Sequence, residues 1–197
     1  MLLHDKLSSK RLILASASPR RRQLLADCDI PFVVAEPFDC NEEYPPQMPS
    51  HEVAEYLSGL KSDAYPHTLA ADEMLLTADT VVIVDDRILG KPSSAEEAVA
   101  MLQMLSGRVH NVVTGVTIRS AERRRSFSVL SSVSFRTLTA DEIDYYITRY
   151  RPFDKAGSYG IQEWIGYVAI ESIEGSFFNV MGLPVQRLYV ELGEFVK

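Results

Sequence analysis

Three arginines at residues 20–22 follow the Ser-Ala-Ser-Pro of residues 16–19, directly after the apolar residues 12–15. Serine before proline is typical of the N-cap and first position of a helix, so the pattern predicts a short strand, a turn and a helix. The first turn of a helix offers free backbone N–H groups and a positive dipole end to a phosphate. Cationic side chains at the positive end of the dipole are unfavourable unless a bound anion compensates for them. Guanidinium groups can hold such an anion, because they bind phosphate in a bidentate manner. The stretch therefore indicates an anion site with Arg20 and Arg21 as ligands. A solvated helix turn is the alternative.

Asp79 lies in the apolar run "LLTADTVVIV", which predicts a buried central strand. A buried carboxylate is costly unless it is paired, hydrogen-bonded or bound to a metal. Asp79 is therefore either a structural residue that accepts hydrogen bonds or a functional group. Glu42 and Glu43 follow the second predicted strand, and either can supply another carboxylate for a hard cation such as Mg²⁺. Alternatively, both are solvated loop charges.

Two further stretches combine a cation with flexible backbone. Lys91 lies between a glycine and a proline after a predicted hairpin, where it is a candidate phosphate ligand. Residues 154–162, "DKAGSYGIQ", contain two glycines that allow close backbone approach to a ligand. The amide of Gln162 both donates and accepts, which matches the donor–acceptor edge of a pyrimidine. An ordinary loop after a helix is the alternative for this stretch.

An alternation of strands and helices positions these residues. Capping residues and apolar periodicity predict helices from Ser18, Ser50, Ser94, Thr139 and Pro184, with Lys61 at the edge of the second apolar face. Predicted strands cover residues 12–15, 30–38, 75–89 (a strand with a short return), 109–118, 127–135 and 167–173, and residues 123–125 form an exposed arginine-rich hairpin tip. We expect an α/β fold with a mixed sheet.

Composition excludes several classes of protein. The chain has 197 residues, 46% of them hydrophobic, and a net charge of −7, which argues for a globular protein that does not bind long nucleic acids. No apolar run has the length of a membrane span, the N-terminus lacks a signal-peptide pattern, and only two cysteines occur. We therefore expect a cytoplasmic protein without a membrane partner. Neither a phosphate-binding GxxxxGK[ST] loop nor a motif for a covalent nucleophile is present.

Taken together, the motifs resemble the Maf family of nucleoside triphosphate pyrophosphatases over about residues 12–195. "LASASPRR", "ADT", "GKP", "DKAGSYGIQ" and "VMGLP" occur in the family's order. The "DKAG-Y-GIQ" pattern is similar to the branch that acts on dTTP and UTP, whereas the sister branch that prefers 7-methyl-GTP has a different loop.

The resemblance implies a fold and a reaction. The fold is a single domain over residues 1–197, with a bent mixed sheet, flanking helices and two lobes around a central cleft, similar to inosine triphosphatases. The reaction is attack of water on the α-phosphate, which yields a nucleoside monophosphate and pyrophosphate. A divalent metal cation, Mg²⁺ or Mn²⁺, and a homodimer are implied as well. The alternatives are a pyrophosphatase for a modified purine nucleotide and a regulator of cell division that binds a nucleotide without cleaving it.

The resemblance also implies roles for individual residues. Asp79 is the expected proton acceptor, and Glu42 is the expected metal ligand with Asp79, with Glu43 as the alternative to Glu42. Triphosphate contacts are expected from Ser16, Arg20, Arg21, Lys61 and Lys91. Base preference is expected from Arg20, Thr80 and Gln162.

Overall fold

The predicted strands belong to one mixed sheet in the computed structural model, which describes residues 2–197. The strands are β1 (Arg11–Leu14), β2 (Val33–Val34), β3 (Glu73–Val84), β4 (Arg87–Leu89), β5 (Val109–Arg119), β6 (Arg124–Phe135) and β7 (Ile170–Glu174). Their order is β2-β1-β3-β5-β6-β7, and β4 pairs with β3. Strand β1 runs parallel to β2 and β3, whereas all other pairs are antiparallel. The expected mixed sheet is confirmed.

Eight α-helices occur among the described residues. They are α1 (Leu3–Lys6), α2 (Pro19–Asp27), α3 (Val53–Asp63), α4 (Ala95–Leu105), α5 (Ala140–Tyr150), α6 (Trp164–Ala169), α7 (Phe177–Met181) and α8 (Val185–Phe195). Short 3₁₀ helices cover Ser50–Glu52 and Ala156–Ser158. Between residues 2 and 197, no helix combines the length and the apolar character needed to cross a membrane.

Two of the strand predictions needed correction. Residues 30–38 contribute only the two residues of β2 to the sheet, because Pro31 and Pro37 near its ends have no backbone N–H to donate. Residues 167–169 belong to helix α6 rather than to a strand. The reason is the burial of Ile165 and Ala169 on one helical face, which leaves Tyr167 82% exposed.

The apolar residues on one face of the sheet form two separate cores. On β3, Ala78 belongs to the core that packs against α2 and α8, and Val82 belongs to the core that packs against α4 and α5. Thr80 lies between them on the same face, because alternate residues of a strand share a face. Helix α3 covers the opposite face, where it packs against Val81. The expected arrangement of flanking helices around a central cleft is thus confirmed.

Candidate active site

A cleft of about 680 Å³ opens at the centre of β3, between the two cores. Its walls come from the first turn of α2, the loop before α3, the turn after β4 and the loop before α6. All nine residues that the sequence indicates for the site line this cleft, namely Ser16, Arg20, Arg21, Glu42, Lys61, Asp79, Thr80, Lys91 and Gln162. Residues separated by more than 140 positions therefore meet in one place.

Lys61 connects two carboxylates at the floor of the cleft. Its ammonium donates to Oδ1 of Asp79 at 2.5 Å and lies 3.0 Å from Oε2 of Glu42. Asp79 is 9% exposed, whereas the side chain of Glu42 is 48% exposed. The carboxylate of Glu43 instead accepts from the side-chain amide of Asn41, and Glu43 does not line the cleft. Of the two glutamates, Glu42 is the one beside Asp79.

A glycine allows α3 to bring Lys61 this close to the sheet. Gly115 of β5 pairs with Asp79 of β3, and a Cβ atom at Gly115 would lie 2.2 Å from backbone atoms of Ala54 in α3. The helix backbone therefore rests directly on β5. Ser58 strengthens the contact, since its backbone carbonyl accepts from the hydroxyl of Thr77 at 2.7 Å. Sequence reasoning missed Gly115, although an isolated glycine within a predicted strand is a signal of close backbone approach.

Arg21 is held by hydrogen bonds to neutral acceptors rather than to carboxylates. Its guanidinium donates to the carbonyl of Gly182 at 2.8 Å, the carbonyl of Ala78 at 2.8 Å, the hydroxyl of Thr80 at 3.1 Å and the hydroxyl of Ser16 at 3.3 Å. Burial lowers the pKa of Arg21, and the nearby Asp79 carboxylate opposes that shift.

These contacts give Arg21 two tasks. Four of its five N–H groups are already used, so one remains for a phosphate, although the full positive charge stays in the cleft. Its contacts with Ala78 and Thr80 hold β3 on both sides of Asp79. Arg21 therefore fixes the strand that carries the central carboxylate.

The hydroxyl proton of Thr80 is also committed. The hydroxyl of Thr114 donates to the backbone carbonyl of Asn179 at 3.0 Å, so the 2.9 Å contact between Thr80 and Thr114 requires Thr80 to donate. Because Thr80 also accepts from Arg21, it offers the cleft an oxygen lone pair and a methyl group.

Arg20 and Lys155 are paired with acidic side chains. Arg20 donates to Asp154 at 2.9 Å, and Lys155 lies between Asp154 at 2.7 Å and Glu163 at 3.0 Å. Burial of Asp154 acts to raise its pKa, but hydrogen bonds from Lys155 and Arg20 outweigh burial and lower the pKa to about 2. The cation of the stretch at residues 154–162 is Lys155, and two carboxylates neutralise its charge.

Lys91 and Gln162 have polar groups without partners. Lys91 is exposed, and its ammonium forms no hydrogen bond or ion pair with residues 2–197. The side-chain oxygen of Gln162 is buried and likewise has no hydrogen-bond partner within the described chain. The backbone N–H of Gly157 donates to the carbonyl of Gly90 at 3.0 Å, which ties the loops that carry Lys91 and Gln162 together.

Comparison with known proteins shows the family of this chain. The family model described as Maf-like protein matches residues 11–195. The chain belongs to the Maf family.

Similar relatives of this Maf protein cover nearly its whole length. It is 51% identical to a dTTP/UTP pyrophosphatase of Parabacteroides distasonis over 97% of this chain and 99% of that protein. It is 53% identical to a dTTP/UTP pyrophosphatase of Porphyromonas gingivalis over 97% of both chains. Among solved structures, a HAM1 protein from Coxiella burnetii is 13% identical, with a TM-score of 0.47 over 94% of this chain and 99% of that chain.

The acidic residues of the Maf cleft fit a divalent cation that is shared with a substrate. Within residues 2–197, no cluster of three or more His, Cys, Asp or Glu side chains is arranged to hold a metal ion alone. Glu42 and Asp79 nevertheless lie on either side of one ammonium group, at a position that already accommodates a cation. Two carboxylates suit Mg²⁺, which takes its other ligands from water and substrate phosphates.

Proposed function

We propose that this chain is a nucleoside triphosphate pyrophosphatase that hydrolyses dTTP and UTP to the monophosphate and pyrophosphate. The observation that carries the proposal is the ion pair between Lys61 and Asp79 on the floor of a cleft lined by Arg20, Arg21 and Lys91. This combination places a proton acceptor beside a cationic surface for a polyanion. The names of the similar relatives support both the reaction and the choice of nucleotide.

The first step of the proposed mechanism is capture of the triphosphate. The N–H groups at the start of α2 bind phosphate oxygens, together with Arg20, the remaining N–H of Arg21 and the ammonium of Lys91. Lys61 has a third N–H that its two carboxylate contacts do not use. These groups orient the α-phosphorus toward Asp79.

In the proposed chemical step, Asp79 accepts a proton from the attacking water. The water oxygen bonds to the α-phosphorus, and the bond from that phosphorus to the oxygen bridging the α- and β-phosphates breaks. The electron pair leaves with pyrophosphate, whose developing charge the arginines and lysines stabilise.

We further propose Mg²⁺ or Mn²⁺ as cofactor, with Glu42 and Asp79 as its protein ligands. When bound, such a cation neutralises phosphate charge and activates water. The ammonium of Lys61 lies between these two carboxylates. A homodimer and a cytoplasmic location stay predictions from the sequence.

The proposed base preference depends on Gln162, supported by Arg20 and Thr80. Uracil and thymine both present an oxygen, an N–H and a second oxygen along one edge. The amide of Gln162 can meet such an edge with one donor and one acceptor, and its buried oxygen has no hydrogen-bond partner among residues 2–197. Cytosine reverses part of this pattern, so a bound cytosine leaves polar groups unpaired.

A substrate panel tests the proposal. Pyrophosphate release is measured for the common triphosphates and several modified ones, with Mg²⁺ or Mn²⁺. We expect UTP and dTTP to be good substrates and CTP to be poor. Binding of nucleotides without any pyrophosphate release would instead identify a regulator, and a preference for 7-methyl-GTP would identify a purine-specific enzyme.

A further inference from the structure

Arg20 and Gln162 lie on different parts of the fold, yet both are proposed to select the base. Arg20 belongs to the first turn of α2, whereas Gln162 lies in the loop before α6. The Arg20–Asp154 hydrogen bond joins these parts across 134 positions of the chain. Asp154 is therefore the point at which the loop contacts α2.

From Asp154, polar contacts continue to both sides of Gln162. One carboxylate oxygen of Asp154 accepts from Arg20, and the other accepts from Lys155. Lys155 lies 3.0 Å from Oε1 of Glu163, and Oε2 of Glu163 accepts from the hydroxyl of Tyr146. That hydroxyl in turn accepts from the backbone N–H of Gly160 at 3.0 Å. Glu163 and Gly160 lie just after and just before the segment that carries Gln162.

The exposure of these groups argues against a role in stability alone. Lys155 has a side chain only 9% exposed, so its charge requires the two carboxylates beside it. The side chain of Asp154, in contrast, is 57% exposed, and an ion pair in such a position contributes little to stability. The hydrogen bond from Arg20 to Asp154 instead fixes the direction of the Arg20 guanidinium.

We propose that the network of ion pairs between Asp154, Lys155 and Glu163 is a positioning element. It fixes the position of Arg20 relative to Gln162 and thereby determines base selectivity. This inference rests on the proposed function, since it assigns Arg20 and Gln162 to base recognition. Asp154 and Glu163 act through those two residues and contact no part of the substrate. Lys155 links the two carboxylates, since its ammonium lies 2.7 Å from Asp154 and 3.0 Å from Glu163.

Selectivity measurements test the proposal first. The variant Asp154→Asn is compared with Asp144→Asn, an exposed position on α5 outside the cleft. The ratio of kcat/KM for UTP to kcat/KM for CTP is measured. Because both nucleotides carry the same triphosphate, the contribution of the phosphate contacts cancels in this ratio. We expect Asp154→Asn to lower this ratio about tenfold, which corresponds to about 1.4 kcal/mol. Asp144→Asn should leave the ratio unchanged, and an unchanged ratio in Asp154→Asn would overturn the proposal.

A double-mutant cycle identifies the route of the effect. If Asp154 acts through Arg20, Asp154→Asn causes no further loss of selectivity in an Arg20→Ala background. Fully additive losses would show that Asp154 acts elsewhere, which would also overturn the proposal.

Side-chain NMR provides a readout that does not depend on the choice of substrate. Asp154→Asn should shift the side-chain amide resonances of Gln162, and Glu163→Gln should shift the Nε–H resonance of Arg20. If each variant shifts only its immediate neighbour, the network does not act as a unit and the inference fails. A wild-type enzyme that shows no preference for UTP over CTP contradicts the proposed function instead, and the NMR result still decides the inference.

Discussion

Lys61 of α3 and Asp79 of β3 form an ion pair of 2.5 Å across the interface between the helix and the sheet. This contact makes the position of α3 part of the site, because a shift of the helix would separate the ammonium from the carboxylate. In the proposed complex the third N–H of this ammonium binds a phosphate oxygen, so one side chain contacts both the substrate and Asp79. Substrate binding is thus coupled to the environment of the proposed base.

The first prediction concerns Asp79 itself. Asp79→Asn keeps the size of the side chain but removes the proton acceptor, so we expect kcat to fall by about 10²–10⁴-fold in a folded protein. Steady-state kinetics and a thermal melt measure both properties. Asp86→Asn in the β3–β4 turn is a matched control, since Asn tolerates the positive φ of 58° found there. Near-normal turnover of Asp79→Asn would contradict the assignment.

The second prediction compares Lys91 with Arg21, two cations of the cleft that differ in their contacts with the rest of the protein. Lys91→Ala removes an ammonium that has no hydrogen bond or ion pair within residues 2–197. We therefore expect kcat/KM to fall by a factor that corresponds to about 1.5–3 kcal/mol of transition-state stabilisation, for all triphosphates alike and with an unchanged melting temperature. Arg21→Ala should lower kcat/KM and also destabilise the fold, because the carbonyls of Ala78 and Gly182 lose their donor.

Arg21→Lys is the control for charge in this comparison. It keeps the charge but cannot reach four acceptors at once, so we expect it to remain destabilised relative to wild type. If Arg21→Ala and Lys91→Ala behave identically in both assays, the proposed structural role of Arg21 is wrong.

The sequence predicted local features of the site better than it predicted how they meet. The Ser-Pro helix start, the capped helix α5 and the central strand were all correct, because each depends on residues close together in the chain. The two-residue strand β2 and helix α6 were not, because their form depends on which neighbours they pack against.

Within the site, too, the sequence predicted the residues better than the contacts that they make. The sequence predicts Arg21 as a phosphate ligand. The fold shows in addition that its guanidinium donates to the backbone carbonyls of Ala78 and Gly182. The arginines at residues 123–125 are exposed, as the sequence indicated, but Arg124 and Arg125 begin β6 instead of forming the hairpin tip. Arg124 pairs with Asp63, and Arg125 pairs with Glu191. Long side chains find partners that sequence spacing does not show.

A third prediction concerns base choice. Gln162→Ala removes the amide proposed to contact the pyrimidine edge, so selectivity should fall more than turnover. Unpaired polar groups cost on the order of 1–3 kcal/mol each, so we expect the preference of UTP over CTP to drop by roughly tenfold or more. The kcat/KM values of UTP, dTTP, CTP and GTP on both proteins measure this. Equal losses for all four nucleotides would assign Gln162 to the phosphates or the sugar.

A fourth prediction uses the contact between α3 and β5. Gly115→Ala places a methyl group 2.2 Å from the backbone of Ala54, so α3 must move and carry Lys61 away from Asp79. We expect a loss of about 1–3 kcal/mol in the free energy of unfolding, together with lower kcat. Gly193→Ala in α8 is the matched control, since apart from its chain neighbours and the adjacent backbone of α8, no atom of residues 2–197 lies within 4 Å of its added Cβ, and alanine favours the helix. Retained activity in a folded Gly115→Ala protein would show that the site tolerates displacement of α3.

The last prediction concerns stability in acid, which His110 should dominate between pH 6.5 and 5. His110 is 2% exposed, its Nε2 lies 2.8 Å from the hydroxyl of Tyr159, and burial lowers its pKa from 6.5 to about 4. Between these values the unfolded chain binds a proton that the folded chain does not, so the free energy of unfolding falls as pH decreases, by up to about 3 kcal/mol. The lowered pKa values of Asp154 and Glu142, about 2 each, affect stability mainly below about pH 5, so the interval from pH 6.5 to 5 reports on His110. Urea unfolding across this range is measured for wild type, for His110→Gln and for His67→Gln, an exposed control. His110→Gln should flatten the dependence and His67→Gln should preserve it, and an unchanged slope in His110→Gln would assign the acid sensitivity to other groups.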